Sequence, residues 1–236
     1  MGFNEDLKNQ VRDFLAGDYD VRNATSIPSI KDIGFGKKAI EIKMCSLAVD
    51  IRNSSKLMDE HKKQTCAKIH KSFLLICSKV IKEYGGKIRS FNGDGLLAFW
   101  YASDENINKA VEAAMVIKFL VNEEYSSLFE QYSKIDFGIG LDYGDVFIVR
   151  AGISRDDDDN DLVFIGKCVN YSVAIADQAK GPKHVEISPE VYGKLDNRHK
   201  IGKNSEGNTV SMWSDGAVIW KDIKYPSKLT NWFFRI

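Results

Sequence analysis

The chain has 236 residues, of which 44% are hydrophobic and 28% are charged, as is typical of one globular domain with short appendages. Lys and Arg together number 33, and so do Asp and Glu, which gives a formal net charge of zero. That balance argues against a cationic surface for nucleic acid. There is no signal peptide, no apolar stretch of membrane-spanning length, and no metal-site spacing among the four cysteines. We therefore expect a cytoplasmic protein with buried free thiols that binds neither nucleic acid nor membranes.

The first 38 residues predict a helix followed by an irregular lead-in. Leu7, Val11 and Phe14 recur at helical spacing, which predicts a short amphipathic helix from Phe3 to Leu15. The segment 16–38 contains Gly and Pro and lacks a clear period. We expect residues 1–38 to be an appendage to one domain formed by residues 39–236.

The next elements are a buried strand, a long helix and a hairpin. A nearly continuous apolar run predicts a strand over 40–51, which ends at Asp50 and Ile51. One helix is predicted from Ser54 to Tyr84, because Gly85-Gly86 is a typical stop signal. Two apolar runs then flank Asn92-Gly93-Asp94-Gly95, a sequence typical of a tight hairpin.

The second half predicts further alternation of helices and strands. A helix is predicted over 104–122. Two strands are predicted over 135–142 and 146–149, joined by a turn at 143–145. The acidic run 155–161 predicts a solvated loop. The remaining predictions are a strand over 162–166, a helix containing Asn170, a strand over 184–187, a helix opened by Ser188-Pro189, and a closing strand pair over 217–223 and 231–236. The fold class predicted from this order is α+β, with a ferredoxin-like βαββαβ core, added strands and an N-terminal helix.

Asp50 and Asp94 are the most informative pair of side chains. If the strand and the hairpin are neighbours, the two carboxylates converge at one end of a sheet. Two hard oxygen ligands in such a place suit Mg²⁺ or Mn²⁺. The alternative is a capping Asp at one position and a turn Asp at the other, each of which is common by itself.

Five motifs in order and spacing resemble the class III nucleotidyl cyclases, in register from about Lys43 to Leu195. The motifs are the strand ending in Asp50, the Gly85-Gly86 stop, the turn at 92–95, the Phe137-Gly138-Ile139-Gly140-Leu141-Asp142-Tyr143-Gly144-Asp145-Val146 segment, and the Phe164-Ile165-Gly166-Lys167-Cys168-Val169-Asn170-Tyr171 segment.

This resemblance implies a reaction and a set of site residues. In the family, the ribose 3′-hydroxyl of a nucleoside triphosphate attacks the α-phosphorus in line, and pyrophosphate leaves. By resemblance, Asp50, Asp94 and the backbone carbonyl of Ile51 hold two divalent ions, Mn²⁺ or Mg²⁺, which stabilise the attacking and leaving oxygens. Asn170 matches the Asn that positions the ribose and the transition state from the partner subunit. The resemblance therefore implies a head-to-tail homodimer with two equivalent sites.

The residues at the base-reading positions depart from the purine cyclases. Ser90 stands where those enzymes place a Lys or Glu, Val163 stands at the partner's base reader, and Ser54 stands where a Phe often lies near the purine. In these respects the chain resembles the stand-alone pyrimidine cyclases of bacterial anti-phage (Pycsar) signalling. That implies conversion of UTP or CTP into cyclic UMP or cyclic CMP as a second messenger. Arg89 is a further candidate for the base pocket, with a structural role as its alternative.

A second departure concerns the phosphates. The family usually has an Arg four residues after the Asn to stabilise charge in the transition state, and here that position is Ala174. Lys167, Lys224 and Arg150 are candidate replacements, although each also fits an ordinary surface cation. Two alternatives to a pyrimidine cyclase therefore stay open: a catalytically inactive nucleotide-binding regulator, and a purine cyclase with an atypical base pocket.

Overall fold

The computed structural model describes residues 2–153 and 159–236, so most of the acidic run predicted to be a solvated loop lies outside the described residues. The helices are α1 (Phe3–Leu15), α2 (Ser54–Glu60), α3 (Lys63–Glu83), α4 (Asp104–Phe119), α5 (Ser126–Glu130), α6 (Lys167–Ala176), α7 (Pro189–Lys194) and α8 (Asn197–Lys200). The strands are β1 (Asp20–Asn23), β2 (Lys38–Ile51), β3 (Lys87–Asn92), β4 (Gly95–Tyr101), β5 (Phe137–Gly152), β6 (Asn160–Ile165), β7 (Val185–Ile187), β8 (Ile201–Lys203), β9 (Thr209–Ser211), β10 (Ser214–Trp220) and β11 (Ile223–Thr230).

One large twisted sheet organises the molecule. Its strand order is β10-β11-β7-β5-β2-β4-β3, with β1 added beside β2 and β6 beside β5, and β8 and β9 form a separate small ribbon. The four strands β5-β2-β4-β3 pair with one another in antiparallel fashion and are connected by α3 and α4. This is the order of a βαββαβ ferredoxin-like core, so the predicted fold class is confirmed.

The two faces of β2 belong to different layers. Cys45, Leu47 and Val49 pack in the cluster formed with α3 and α4. The alternate side chains, including Met44, lie in the cluster that contains α6 and the lead-in. Because strand side chains alternate between faces, Asp50 lies on the α6 side of the sheet.

Helix α6 approaches β5 closely over two glycines. A Cβ atom built on Gly140 would overlap the carbonyl oxygen of Ser172 and lie 2.5 Å from the amide nitrogen of Ala176. A Cβ atom on Gly138 would overlap the carbonyl oxygen of Ala176 and lie 2.7 Å from that of Ala179. Gly138 and Gly140 therefore allow α6 to pack closely on β5, the strand that pairs with β2 at Asp50.

Gly140→Ala is expected to destabilise the protein by about 2 to 4 kcal/mol, because α6 must lift away from β5 to admit a methyl group. Urea denaturation monitored by tryptophan fluorescence measures the change. Gly193→Ala is the matched control, since a Cβ atom there would meet no other atom within 4 Å. Equal stability of the two variants would contradict the close packing of α6.

Three predicted elements were wrong in their extent, and the first is the long helix. It is interrupted after Glu60, where His61 is extended (φ −131°, ψ 155°), and α3 starts at Lys63. Leu57 and Cys66 are nine residues apart, so a continuous helix would place them on opposite faces. The break allows both side chains to be buried.

The second correction concerns β5, which runs unbroken through Tyr143-Gly144-Asp145 instead of turning there. It pairs with β2 residue by residue from Ile51↔Phe137 to Ala39↔Val149, and a partner of that length holds the whole segment extended.

The third correction concerns the C-terminal strands. The turn lies at Lys221 and Asp222, both at positive φ as a two-residue hairpin turn requires, so the pair is β10 and β11. Residues 231–236 form no strand, and Phe233 instead stacks on Phe119 with ring centroids 5.4 Å apart.

The lead-in is more ordered than the sequence predicts, because β1 pairs in parallel with the start of β2. All four cysteines are buried and unpaired, as expected. In the part of the chain that the structure describes, no helix combines the length and apolarity needed to cross a bilayer.

Candidate active site

Asp50 and Asp94 meet at one end of the sheet. Asn92 pairs with Gly95, so Gly93 and Asp94 form the two-residue tip of the β3–β4 hairpin, with Gly93 at φ 62°. The pairing of Val49 with Leu96 brings Asp50 beside Gly95. A Cβ atom on Gly95 would lie 2.7 Å from Oδ1 of Asp50, so the hairpin tip packs directly against this carboxylate.

The surroundings of this pair are unfavourable for two bare carboxylates. Burial raises the pKa of Asp50 to about 6, and the negative charges of Asp94 and Asp177 add to the effect. Oδ2 of Asp94 is buried and has no hydrogen-bond partner. An unsatisfied buried carboxylate oxygen beside a second carboxylate is costly by itself, and it is the arrangement that a divalent cation stabilises.

The residues present therefore fit a divalent metal site of oxygen ligands. Asp50 and Asp94 supply two carboxylates, and Ile51 lies next in the chain with its backbone carbonyl. No cluster of three or more His, Cys, Asp or Glu side chains able to hold a metal ion occurs among the described residues. Further ligands for an ion here would come from water or from the oxygens of a substrate, as is usual for Mg²⁺.

Two of the residues predicted for the base pocket lie near this end of the sheet. Ser90 is half-buried in β3, pairs with Leu97, and donates a hydrogen bond of 2.8 Å to Oδ1 of Asn92. Ser54 is the half-buried first residue of α2 and follows Asn53, which is left-handed at φ 55°. Ser90 therefore lies on the strand that leads to Asp94, and Ser54 lies four residues after Asp50.

Arg89 has a different environment from Ser90. Its guanidinium donates to the carbonyl oxygens of Pro28 (2.8 Å), Ile27 (3.3 Å) and Ile88 (3.1 Å). It occupies the bulge between Ile88 and Ser90 and ties the lead-in to β3. The structural alternative foreseen for Arg89 is therefore the one that these contacts favour.

Arg89→Met is expected to lower stability by about 2 kcal/mol, because three carbonyl groups lose a charged donor. Thermal denaturation checks this value, with Arg12→Met on the exposed α1 helix as the control. We expect the relative binding of different nucleotides to stay unchanged. A changed base preference in Arg89→Met would contradict the anchoring role.

The remaining predicted site residues form a second group. Lys167 begins α6, and its ammonium lies 5.1 Å from the ring centroid of Tyr225, the residue after Lys224. Asn170 is exposed one turn further along the helix. Val163 is 42% exposed on β6, the strand that leads into α6.

Strand register separates Val163 from the carboxylates of the same chain. Val163 on β6 pairs with Val149 on β5, and Val149 pairs with Ala39 on β2. Ala39 precedes Asp50 by eleven residues, which corresponds to about 35 Å along the strand. The negative charge of Asp177 acts on Asp50. Asn170 precedes Asp177 by seven residues, which corresponds to about 10 Å along a helix. Within one chain, Val163 therefore lies far from the carboxylate pair.

Arg150 differs from the other cations predicted to bind phosphate. Its guanidinium lies 4.2 Å from the ring centroid of Phe35 and donates to Oδ1 of Asn160 at 2.8 Å. It therefore packs the lead-in against β5, whereas Lys167 and Lys224 are exposed. Ala174 is half-buried on α6 and brings no charge to that position.

Sequence reasoning missed two acidic residues near these groups. Asp177 shares a helical stripe with Asn170, a spacing of seven residues that could have revealed it. Asp142 is buried, which raises its pKa to about 6, and it accepts a hydrogen bond from Ser188. The sequence feature that could have revealed Asp142 is a charged residue within an otherwise apolar strand.

Comparison with known proteins gives a consistent result. No protein-family model matches the chain. The chain is 28% identical to the uridylate cyclase of Rhodovulum sp. over 221 residues, covering 90% of this chain and 89% of that protein. It is 29% identical to the uridylate cyclase of Burkholderia cepacia over 230 residues, covering 93% and 96%. Among solved structures, the adenylyl cyclase CyaB from P. aeruginosa superposes with a TM-score of 0.66 at 20% identity, covering 81% of this chain and 95% of that chain.

These matches agree with the motifs. The fold is that of class III cyclase catalytic domains, and the similarity to uridylate cyclases extends over most of the chain. The resemblance to nucleotidyl cyclases that the sequence motifs predict is thus confirmed, and the relatives support the predicted enzyme class.

Proposed function

We propose that this protein is a pyrimidine nucleotide cyclase that converts UTP into 3′,5′-cyclic UMP and pyrophosphate. The observation that carries the proposal is the convergence of Asp50 and Asp94, with a buried carboxylate oxygen that lacks a partner. A structural pair of aspartates would be expected to find hydrogen-bond donors instead. The similarity to uridylate cyclases supports this reading and favours uracil over cytosine as the base.

We further propose that the active form is a head-to-tail homodimer. Val163 is far from the carboxylates of its own chain, so we infer that Val163 and Asn170 complete the carboxylate site of a second copy. Two-fold symmetry then produces two equivalent sites. The exposure of Lys167, Asn170 and Val163 leaves them accessible to such a partner.

In this arrangement each residue has a defined task. Two divalent ions, Mn²⁺ or Mg²⁺, held by Asp50, Asp94 and the carbonyl of Ile51 would supply Lewis-acid stabilisation of the attacking and leaving oxygens. The amide of Asn170 from the partner orients the ribose, so that the 3′-hydroxyl is in line with the α-phosphorus. Lys167 and Lys224 bind phosphate oxygens in the absence of an Arg at position 174, and both side chains are exposed. The 3′-oxygen forms a bond to the α-phosphorus as the bond from that phosphorus to pyrophosphate breaks, and the hydroxyl proton is released to solvent.

Base selection is assigned to Ser54, Ser90 and Val163. With Ser90 in place of a Lys or Glu and Val163 in place of the partner's polar base reader, the pocket lacks groups that would discriminate in favour of adenine or guanine. By resemblance to stand-alone pyrimidine cyclases, the product would serve as a second messenger in anti-phage defence.

Ala174 is the observation that favours a second candidate, an inactive nucleotide-binding regulator. The two proposals differ in a competition assay with all four nucleoside triphosphates at equal concentration and Mn²⁺, in which cyclic products are identified by mass spectrometry. The cyclase proposal predicts cyclic UMP as the main product. Cyclic AMP or cyclic GMP alone would contradict the pyrimidine assignment, and binding without any cyclic product would favour the regulator.

A further inference from the structure

A cleft of about 730 Å³ lies outside the proposed catalytic site. It is at the end of the sheet where β2 finishes, on the side covered by α4. Its walls come from the end of α4, from α5, from the start of β5, from the segment before β7 and from the chain after β11. A volume of this size accommodates a metabolite or a nucleotide-sized ligand. Neither Asp50 nor Asp94 nor Asn170 lines it.

The deepest charge in the cleft is the ammonium group of Lys118. This residue is only 4% exposed, and its Nζ donates a long hydrogen bond of 3.5 Å to the carbonyl oxygen of Trp232. An ammonium has three donors, and one long bond compensates poorly for the water that burial removes. Burial lowers the pKa of Lys118 to about 8, so the group still carries its charge through most of the neutral range.

The other charged residues of the cleft are less buried than Lys118. Lys134, Glu123 and Glu130 line the cleft and are all exposed, and the charge of Glu123 acts on Lys118. The carboxylate of Asp136 is already engaged, since its Oδ1 accepts the backbone N–H of Gly181 at 3.0 Å. The buried charge of the cleft is therefore the positive charge of Lys118, and its exposed charges are of both signs.

The cleft also offers neutral and apolar contacts. His184 is buried, and its Nδ1 donates to the carbonyl oxygen of Phe137 at 2.8 Å. Val121, Phe129 and Phe233 supply apolar surface. A ligand that satisfies both kinds of wall has an anionic group at one end and an apolar or aromatic body.

We propose that this cleft is a regulatory site for a small molecule that carries a carboxylate or phosphate on an apolar or aromatic body. One hydrogen bond connects the cleft to the segment that carries Asp50. The carbonyl oxygen of Asp136, on the cleft wall, accepts the backbone N–H of Arg52 at 2.8 Å, and Arg52 follows directly after Asp50 and Ile51. The regulatory role rests on the proposed function, whereas the binding does not.

Titration of the metal-free, isotope-labelled protein with benzoate, phenyl phosphate and inorganic phosphate, followed by amide NMR, tests the binding. We expect saturable shifts centred on Asp136, Gly181 and Asn231 with at least one of the two aromatic anions, and weaker binding of inorganic phosphate. The aromatic anion that binds more tightly identifies the head group. Lys118→Met should weaken binding at least tenfold, and Ser126→Trp, which fills the cleft from α5, should do so without altering the charge.

The outcomes separate this proposal from the cyclase proposal. No saturable binding, equal binding by Lys118→Met in its folded state, or shifts centred on the Asp94 hairpin would overturn the site. Saturating ligand should change UTP turnover at least twofold in the wild type but not in Lys118→Met. Binding with unchanged turnover would overturn the regulatory role, and a protein inactive on every nucleotide would contradict the cyclase while leaving the binding result intact.

Discussion

Asp94→Asn and Asp50→Asn are each expected to lower cyclase turnover by about 10³-fold or more, equivalent to ~4 kcal/mol of activation free energy. Both substitutions remove a hard anionic ligand from the pair that we propose to hold the metal ions. Product formation from UTP with Mn²⁺ measures the loss. Asp13→Asn on the exposed α1 helix is the control and should keep full turnover.

The same substitution at Asp50 should stabilise the metal-free protein. The pKa of this carboxyl is raised from 3.8 to about 6 in the folded state, so the folded state binds the proton more tightly than the unfolded state does. The contribution of Asp50 to stability is consequently fully present below about pH 4 and is lost as the pH rises through about 6. With a discount for partial exposure, ionised Asp50 costs about 1 to 2 kcal/mol at pH 7, and Asn removes that cost.

Thermal denaturation in EDTA across pH 4 to 8 tests this prediction. The melting temperature of Asp50→Asn should exceed that of the wild type at pH 7, and the two should converge near pH 4. Added Mn²⁺ should raise the melting temperature of the wild type but not that of the variant. A destabilised Asp50→Asn at pH 7 would show that the carboxylate has a structural role.

Mixed dimers of Asp94→Asn and Asn170→Ala are expected to recover activity that neither variant has alone. Each intact site would combine the carboxylates of one chain with Asn170 of the other, so a mixed dimer holds one intact and one doubly damaged site. Co-expression with two different affinity tags and tandem purification isolates the mixed species. Its turnover should be about half that of the wild-type dimer.

A second mixed dimer serves as the matched control. Asp50→Asn combined with Asp94→Asn damages both carboxylate half-sites, so no arrangement of the two chains restores an intact site. This species should remain inactive. Equal recovery in both mixtures, or none in the first, would contradict a site shared between subunits.

The sequence predicted the parts of the fold that short-range signals determine. The Asn92–Gly95 turn between apolar runs is enough to place Asp94 at a hairpin tip, and the Gly85-Gly86 stop ends α3 after Glu83. Ser188 and Pro189 likewise start α7, with the Ser188 hydroxyl accepting the N–H of Val191.

Features that depend on distant partners were not predictable from local patterns. Residues 143–145 look like a turn, but β2 holds them extended along its whole length. The sequence leaves Arg89 open between a base-pocket role and a structural role. Its guanidinium donates to the carbonyls of Ile27 and Pro28, more than sixty positions earlier, and no local pattern predicts such contacts. The separation of Val163 from Asp50 within a chain is likewise a consequence of strand register.

Incubation of the purified protein with UTP and Mn²⁺ is the most direct test of the proposed function, with products followed by mass spectrometry and ³¹P NMR. The proposal predicts 3′,5′-cyclic UMP and pyrophosphate in equal amounts from the wild type and neither from Asp94→Asn. Unchanged UTP, or hydrolysis to UMP or UDP without a cyclic product, would contradict it.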